Sequence, residues 1–132
     1  MCACSTLRGL ARHVTAIYDD CLKPTRLKQT QFMVLARLDG LVQCSLAELA
    51  KVCDLDVTSL SRALSPFKTA GIIRVGAGKD ARTKRIELTP HGKRLIQRAF
   101  PLWQQAQKVI HQVIPPEQVR ALRRLSTALH ER

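Results

Sequence analysis

Apolar residues return along this chain at steps that alternate between three and four. Leu7, Leu10, Ala11, Val14, Ile17, Tyr18, Cys21 and Leu22 form one such stripe, with Arg8, Arg12, Asp19 and Asp20 mostly off it. The pattern predicts a first helix over about residues 5–23, closed by Pro24. Thr30 is the expected N-cap of a second helix carrying Phe32, Val34, Leu35 and Leu38, stopped by Gly40. Ser45 and Glu48 read as a capping box opening a short third helix with Leu46, Leu49 and Ala50 on its buried side. A tight turn over Cys53–Asp56 leads to a fourth helix, about Val57 to Thr69. Its predicted buried positions are Val57, Leu60, Leu64 and Phe67, and Pro66 is expected to bend its last turn.

After Gly71 the period changes. Ile72–Val75 and Thr83–Leu88 alternate apolar and polar positions on either side of the Gly-rich, basic run Gly76–Asp80. That is a hairpin. Thr89-Pro90 then opens a long fifth helix, about His91 to Val113, kinked at Pro101. Its stripe of Leu95, Ala99, Leu102, Ala106, Val109 and Val113 has a seven-residue repeat, the seam of a helix lying along another. Pro115-Pro116 resets the chain into a sixth helix carrying Val119, Leu122, Leu125 and Leu129.

The predicted fold is mainly α with a small β-hairpin wing. It is a winged helix-turn-helix over about residues 30–89, flanked by N- and C-terminal dimerisation helices (about 5–23 and 91–132), in one domain over 1–132. The turn glycine common between the two motif helices is replaced by Asp54, which tolerates a left-handed backbone better than most residues.

Charge turns this outline toward a partner. Against 10 Asp and Glu stand 22 Lys and Arg, a formal net charge of +12, which favours a polyanion. Aromatic residues are only 4 % of the chain, too few to provide stacking platforms for unpaired bases, so duplex DNA is preferred to single strands or RNA. No apolar run is long enough for a membrane span, and Met1–Cys4 has no signal-peptide character. A cytoplasmic protein with reduced thiols and no membrane partner is expected. The odd count of five cysteines fits no closed disulfide framework.

The chemistry of the predicted exposed surface suits DNA. Thr58, Ser59, Ser61, Arg62, Ser65 and Lys68 share the outer face of the fourth helix. Short hydroxyls approach base edges and phosphates closely, and an arginine pairs bidentately with guanine or clamps a phosphate. The wing offers Lys79, Arg82, Lys84 and Arg85, and an arginine on a thin hairpin enters a narrow minor groove. No nucleophile–base set, phosphate-binding glycine loop or paired carboxylates are visible, so no enzymatic activity and no cofactor are expected. His13, His91, His111 and His130 lack ligand spacing, so no metal site is expected.

The stretch Asp80-Ala81-Arg82-Thr83-Lys84-Arg85-Ile86-Glu87-Leu88-Thr89-Pro90-His91-Gly92 resembles the wing signature of the MarR family: Asp-x-Arg, a basic strand, then Leu-Thr-x-x-Gly. Ser61-Arg62 is similar to the family's recognition-helix pair, and Phe67 with Gly71–Ile73 to its helix-to-wing step. The resemblance implies a homodimeric repressor or activator of transcription on a pseudo-palindromic operator. Each recognition helix would lie in a major groove and each Arg82 in a minor groove, with Asp80 as its buttress. Pro66 departs from the pattern and puts a base contact from Lys68 in doubt.

Two kinds of signal follow from the resemblance: a thiol oxidant, or a small anionic aromatic effector. Cys2 and Cys4, ahead of a basic helix, are the candidate redox or metal-sensing pair, although the tyrosine pair that activates peroxide-sensing cysteines in the family is absent. Cys21, Cys44 and Cys53 read as packing residues. Arg12, His13 and Tyr18 are the candidate effector pocket, against the plainer reading of surface and dimer packing. The competing functions are a winged-helix adaptor that meets an acidic protein and a non-specific architectural DNA binder.

Overall fold

The computed structural model describes residues 1–77 and 84–132. The helix α1 spans Ala3–Leu22 and runs through a short 3-10 turn, Lys23–Thr25, toward α2 (Gln29–Leu41). Strand β1 (Gln43–Ser45) precedes α3 (Leu46–Cys53) and α4 (Val57–Thr69). Strands β2 (Ile73–Gly76) and β3 (Arg85–Leu88) lead into α5 (Pro90–His111) and α6 (Pro116–Glu131).

The three strands form one antiparallel sheet in the order β1-β3-β2, with Cys44 and Val75 both in register with Ile86. β1 escaped the sequence pattern because three residues cannot show alternation, and Cys44 is buried within this strand. α1 packs along α5, α2 sits against α3, α5 and the sheet, and α4 packs on α3 and β2. The core joins Leu22, Leu35 and Leu38 to Leu49, Leu60, Ile86 and Ala99, all closed to solvent.

Several local expectations change. The second helix starts earlier than Thr30: its N-cap is Lys28, whose N–H is held by the Gln31 side chain at 2.8 Å. Gly40 does not stop it. The helix continues to Leu41 and ends at Val42, which takes φ +68°, a costly value for a β-branched residue. Ser45 caps α3 as predicted, its hydroxyl oxygen accepting the Glu48 N–H at 3.1 Å. The Glu48 carboxylate, however, turns to Arg85 at 3.4 Å, so the box is not closed from that side.

Val57, predicted buried, is 47 % exposed, because the core contact of α4 begins at Leu60. On α5 the predicted seam holds for Leu95, Ala99 and Ala106, all buried, with Leu102 half-buried. Val109 is exposed in the single chain while Ile110 is buried, and Val113 lies beyond α5, which ends at His111 rather than near Val113. A straight helix of 3.6 residues per turn drifts off a seven-residue repeat by roughly 20° per heptad. Helices α4 and α5 run unbroken through Pro66 and Pro101.

Candidate nucleic-acid interface

The turn between α3 and α4 sets the position of the candidate reading helix. Asp54 adopts φ +56°, ψ +45°, the left-handed conformation that glycine takes in many such turns. Its N–H reaches the Lys51 carbonyl at 3.2 Å and the Leu55 N–H reaches the Ala50 carbonyl at 2.9 Å, which closes α3. Asp56 then caps α4, accepting the Ser59 N–H at 2.7 Å. These amides hold the Asp56 carboxyl below the ordinary carboxylate range, with the Ser59 backbone N–H the largest cause.

Leu60, Leu64 and Phe67 face inward, which leaves Thr58, Ser59, Ser61, Arg62, Ser65 and Lys68 all exposed. Ser59 is already engaged, since its hydroxyl donates to Asp56 at 2.8 Å. Thr58, Ser61, Arg62 and Ser65 border an open depression of about 540 Å³ together with Leu46 and Val57. Val57 was missed as a surface residue, and its methyls lie on the same rim as Arg62. A second depression of about 290 Å³ joins Ser61, Ser65 and Lys68 of α4 to Lys84 beside β3. Lys68 therefore shares a surface with the wing, despite the nearby Pro66.

Whereas Lys84 lies open beside α4, Arg85 is engaged within the chain. Its guanidinium meets Glu48 at 3.4 Å and donates to the Gln43 carbonyl at 3.2 Å, tying β3 to α3 and β1. Lys79, Asp80 and Arg82 lie outside the described residues. The wing base is firm: Thr89 accepts the Gly92 N–H at 3.1 Å and its own N–H reaches the Ile72 carbonyl at 3.0 Å. Gly71, at φ +73°, supplies the turn from α4 into β2.

No family model matches the chain. Solved structures do. The transcriptional regulator MosR of M. tuberculosis in complex with DNA is 37 % identical, over 99 % of this chain and 98 % of that one, at a TM-score of 0.88. The chain belongs to the MarR family.

Two more distant MarR-family structures share the fold. BpsR of Bordetella bronchiseptica, whose DNA binding is regulated by 6-hydroxynicotinic acid, is 21 % identical over 99 % of this chain and 95 % of that one, TM-score 0.83. A cysteine-to-serine mutant of E. coli MarR with operator DNA is 20 % identical over 95 % of this chain and 91 % of that one, TM-score 0.82.

Away from α4, this MarR-family chain leaves an apolar groove of about 760 Å³ between α1, α5 and α6. Leu10, Val14, Ile110, Leu122 and Leu125 are among its apolar lining, with Tyr18, Gln107 and His111 among its polar members. The Tyr18 hydroxyl donates to the Gln107 side chain, and burial pushes its pKa up. Of the three predicted effector residues only Tyr18 reaches the groove. Arg12 and His13 are exposed and do not line it, because they sit about 100° and 200° around the helix from Ala11. Gln107 and His111 were missed; their one-turn spacing on α5 was the available signal.

The cysteines divide by burial. Cys44 and Cys53 are buried and burial raises both thiol pKa values, while Cys21 is half-buried. Cys2 and Cys4 are exposed at the start of α1. The backbone amides of Ser5 and Cys4 hold the Cys2 thiol below its ordinary value. Among the described residues no His, Cys, Asp and Glu cluster has metal-site geometry, and no helix is long and apolar enough to cross a membrane.

Proposed function

We propose that the chain is a sequence-specific, non-enzymatic regulator of transcription that grips duplex DNA as a homodimer in the cytoplasm. The observation that carries this reading is the exposed hydroxyl-and-arginine face of α4 set beside Lys84 of the wing. Thr58, Ser61, Arg62 and Ser65 would enter the major groove, with Val57 against a thymine methyl. Arg82, buttressed by Asp80, would enter the minor groove, with Lys79 on the adjacent backbone. Ser59 acts through the Asp56 cap, and Arg85 acts by fixing the wing to α3.

The second copy is read from α6, whose Leu122, Leu125 and Leu129 are 37 %, 60 % and 68 % exposed in the single chain. Seated in the groove, a partner's helices would cover this stripe. Two half-sites would then lie about one helical turn apart, roughly 34–36 Å.

Repression released by a signal is the regulatory reading. In the thiol route, Cys2 and Cys4 each give up a hydrogen to form one disulfide, while a hydroperoxide is reduced to an alcohol and water. In the ligand route, a small aromatic anion binds near Tyr18.

Selection of duplexes from a random pool, followed by titration across salt, tests the core reading. A pseudo-palindrome should emerge, with a log–log salt slope of about −7 if about eight phosphates are neutralised. Arg62→Ala or Arg82→Ala should weaken binding by roughly 1–3 kcal/mol. Equal, weak binding to operator and random duplex would favour the architectural reading, and no binding to either would favour the protein adaptor.

A further inference from the structure

The recognition half of the chain does not carry most of its positive charge. Residues 24–89 hold 11 Lys and Arg against 6 Asp and Glu, a net +5. The remaining residues, 1–23 and 90–132, hold 11 against 4, a net +7. Residues 90–132 alone hold 8 Lys and Arg against 2 Asp and Glu, a net +6. Positive charge outside the DNA-reading half favours a further anionic partner.

α6 shows where such an anion fits. Its apolar stripe, Val119, Leu122, Leu125 and Leu129, faces one way. Arg120, Arg123, Arg124 and Thr127 lie together on the other side, all exposed, around an open depression of about 490 Å³ that includes Glu131 at its far end. None of the ion pairs among the described residues involves these three arginines. Arg120 and Arg124 are one turn apart, about 6 Å along the axis, close to the separation of successive phosphates on one strand. The only apolar member of this surface is Ala128. A protein partner needs an apolar core in its interface, whereas a phosphate backbone needs guanidinium, hydroxyl and water.

We propose that the α6 arginine face binds the phosphate backbone of a second duplex DNA segment, so that one dimer holds two duplexes. The second duplex is distinct from the operator, because α4 and the wing are assigned to the operator and the arginines of this face all belong to α6. Its recognition is non-specific, since contacts to phosphate carry no sequence information. The proposal rests on the dimeric reading above but not on which operator α4 selects.

The test uses the full chain with a donor-labelled operator duplex and an acceptor-labelled duplex of random sequence. At saturating operator, the wild-type dimer should bring the two labels together. This second binding should fall with a log–log salt slope of about −3, for about three phosphates. The triple variant Arg120→Gln, Arg123→Gln, Arg124→Gln should lose energy transfer at least tenfold while its operator affinity stays within twofold. The corresponding Arg→Lys triple should retain most of the transfer. Circular dichroism and the solution mass of both variants identify any loss of fold or dimer, in which case single Arg→Gln variants carry the comparison. A wild-type dimer that takes up one duplex only, or a Gln triple that bridges as well as wild type, would overturn the proposal and leave the face to an acidic protein. Transfer that survives while operator selectivity is absent would instead remove the regulatory reading and spare this one.

Discussion

The Asp56 carboxylate accepts both the backbone N–H and the hydroxyl of Ser59, at 2.7 and 2.8 Å, and so fixes the first turn of α4. One carboxylate thus sets the entry angle of α4 and removes Ser59 from the set of free donors. Asp56→Ala should lower the thermal midpoint and weaken operator binding together, while Asp56→Asn keeps most of both. Because the folded pKa is depressed, the stabilisation is complete above the unfolded carboxylate value and is lost as pH falls through the folded one. A pH titration of the melting midpoint should therefore show a wild-type loss in acid that Asp56→Asn lacks. Parallel curves for the two proteins would dismiss the cap.

Gly92 and Gly40 should respond in opposite directions to alanine. A Cβ at Gly92 would overlap the Ile72 carbonyl oxygen, where α5 crosses the wing base, and backbone cannot yield cheaply. Gly92→Ala should cost roughly 1–3 kcal/mol. At Gly40 nothing lies within 4 Å of the added carbon, and the residue is helical. Gly40→Ala should stabilise by roughly 0.5–1 kcal/mol. Urea denaturation of the two variants decides, and a neutral Gly92→Ala would mean that the crossing is looser than described.

Thiol reactivity should follow burial. Native protein treated with iodoacetamide near neutral pH should be modified at Cys2 and Cys4, with Cys44 and Cys53 protected until it unfolds. Peptide mass mapping reads this directly. Early labelling of Cys44 would contradict its place in β1. If Cys2→Ser, Cys4→Ser protein still leaves DNA on peroxide treatment, the N-terminal pair is not the sensor.

Arg85 and Arg62, both predicted DNA contacts, should separate on mutation. Arg85 is engaged by Glu48 in a partly exposed ion pair worth about 0–1 kcal/mol. Arg85→Ala should cost little in operator affinity beyond a small loss of stability, whereas Arg62→Ala should cost binding and leave stability unchanged. Isothermal titration beside thermal melts distinguishes them, and a larger binding loss for Arg85→Ala would restore it as a direct contact.

Dimerisation through α6 is open to the same kind of check. Leu125→Asp with Leu129→Asp puts charge on the exposed stripe and should yield monomers by sedimentation, with operator affinity falling accordingly. Persisting dimers would move the interface elsewhere.

The sequence by itself determined what depends on neighbours a few residues away. The bounds of α4, the Ser45 cap and the left-handed Asp54 follow from short-range hydrogen bonding and steric rules, and each is found where the residues place it. The hydroxyl-rich face of α4 was legible for the same reason, since helical periodicity fixes which side chains share a side. Only the tertiary structure decided what depends on distant strands and helices. β1 exists because β3 offers it a ladder, not because Gln43–Ser45 prefers to be extended. Arg85 turns from the wing to Glu48, 37 residues away, and Arg12 and His13 fall outside a groove assembled from three helices. Such pairings are set by packing across the whole domain, which local pattern does not encode.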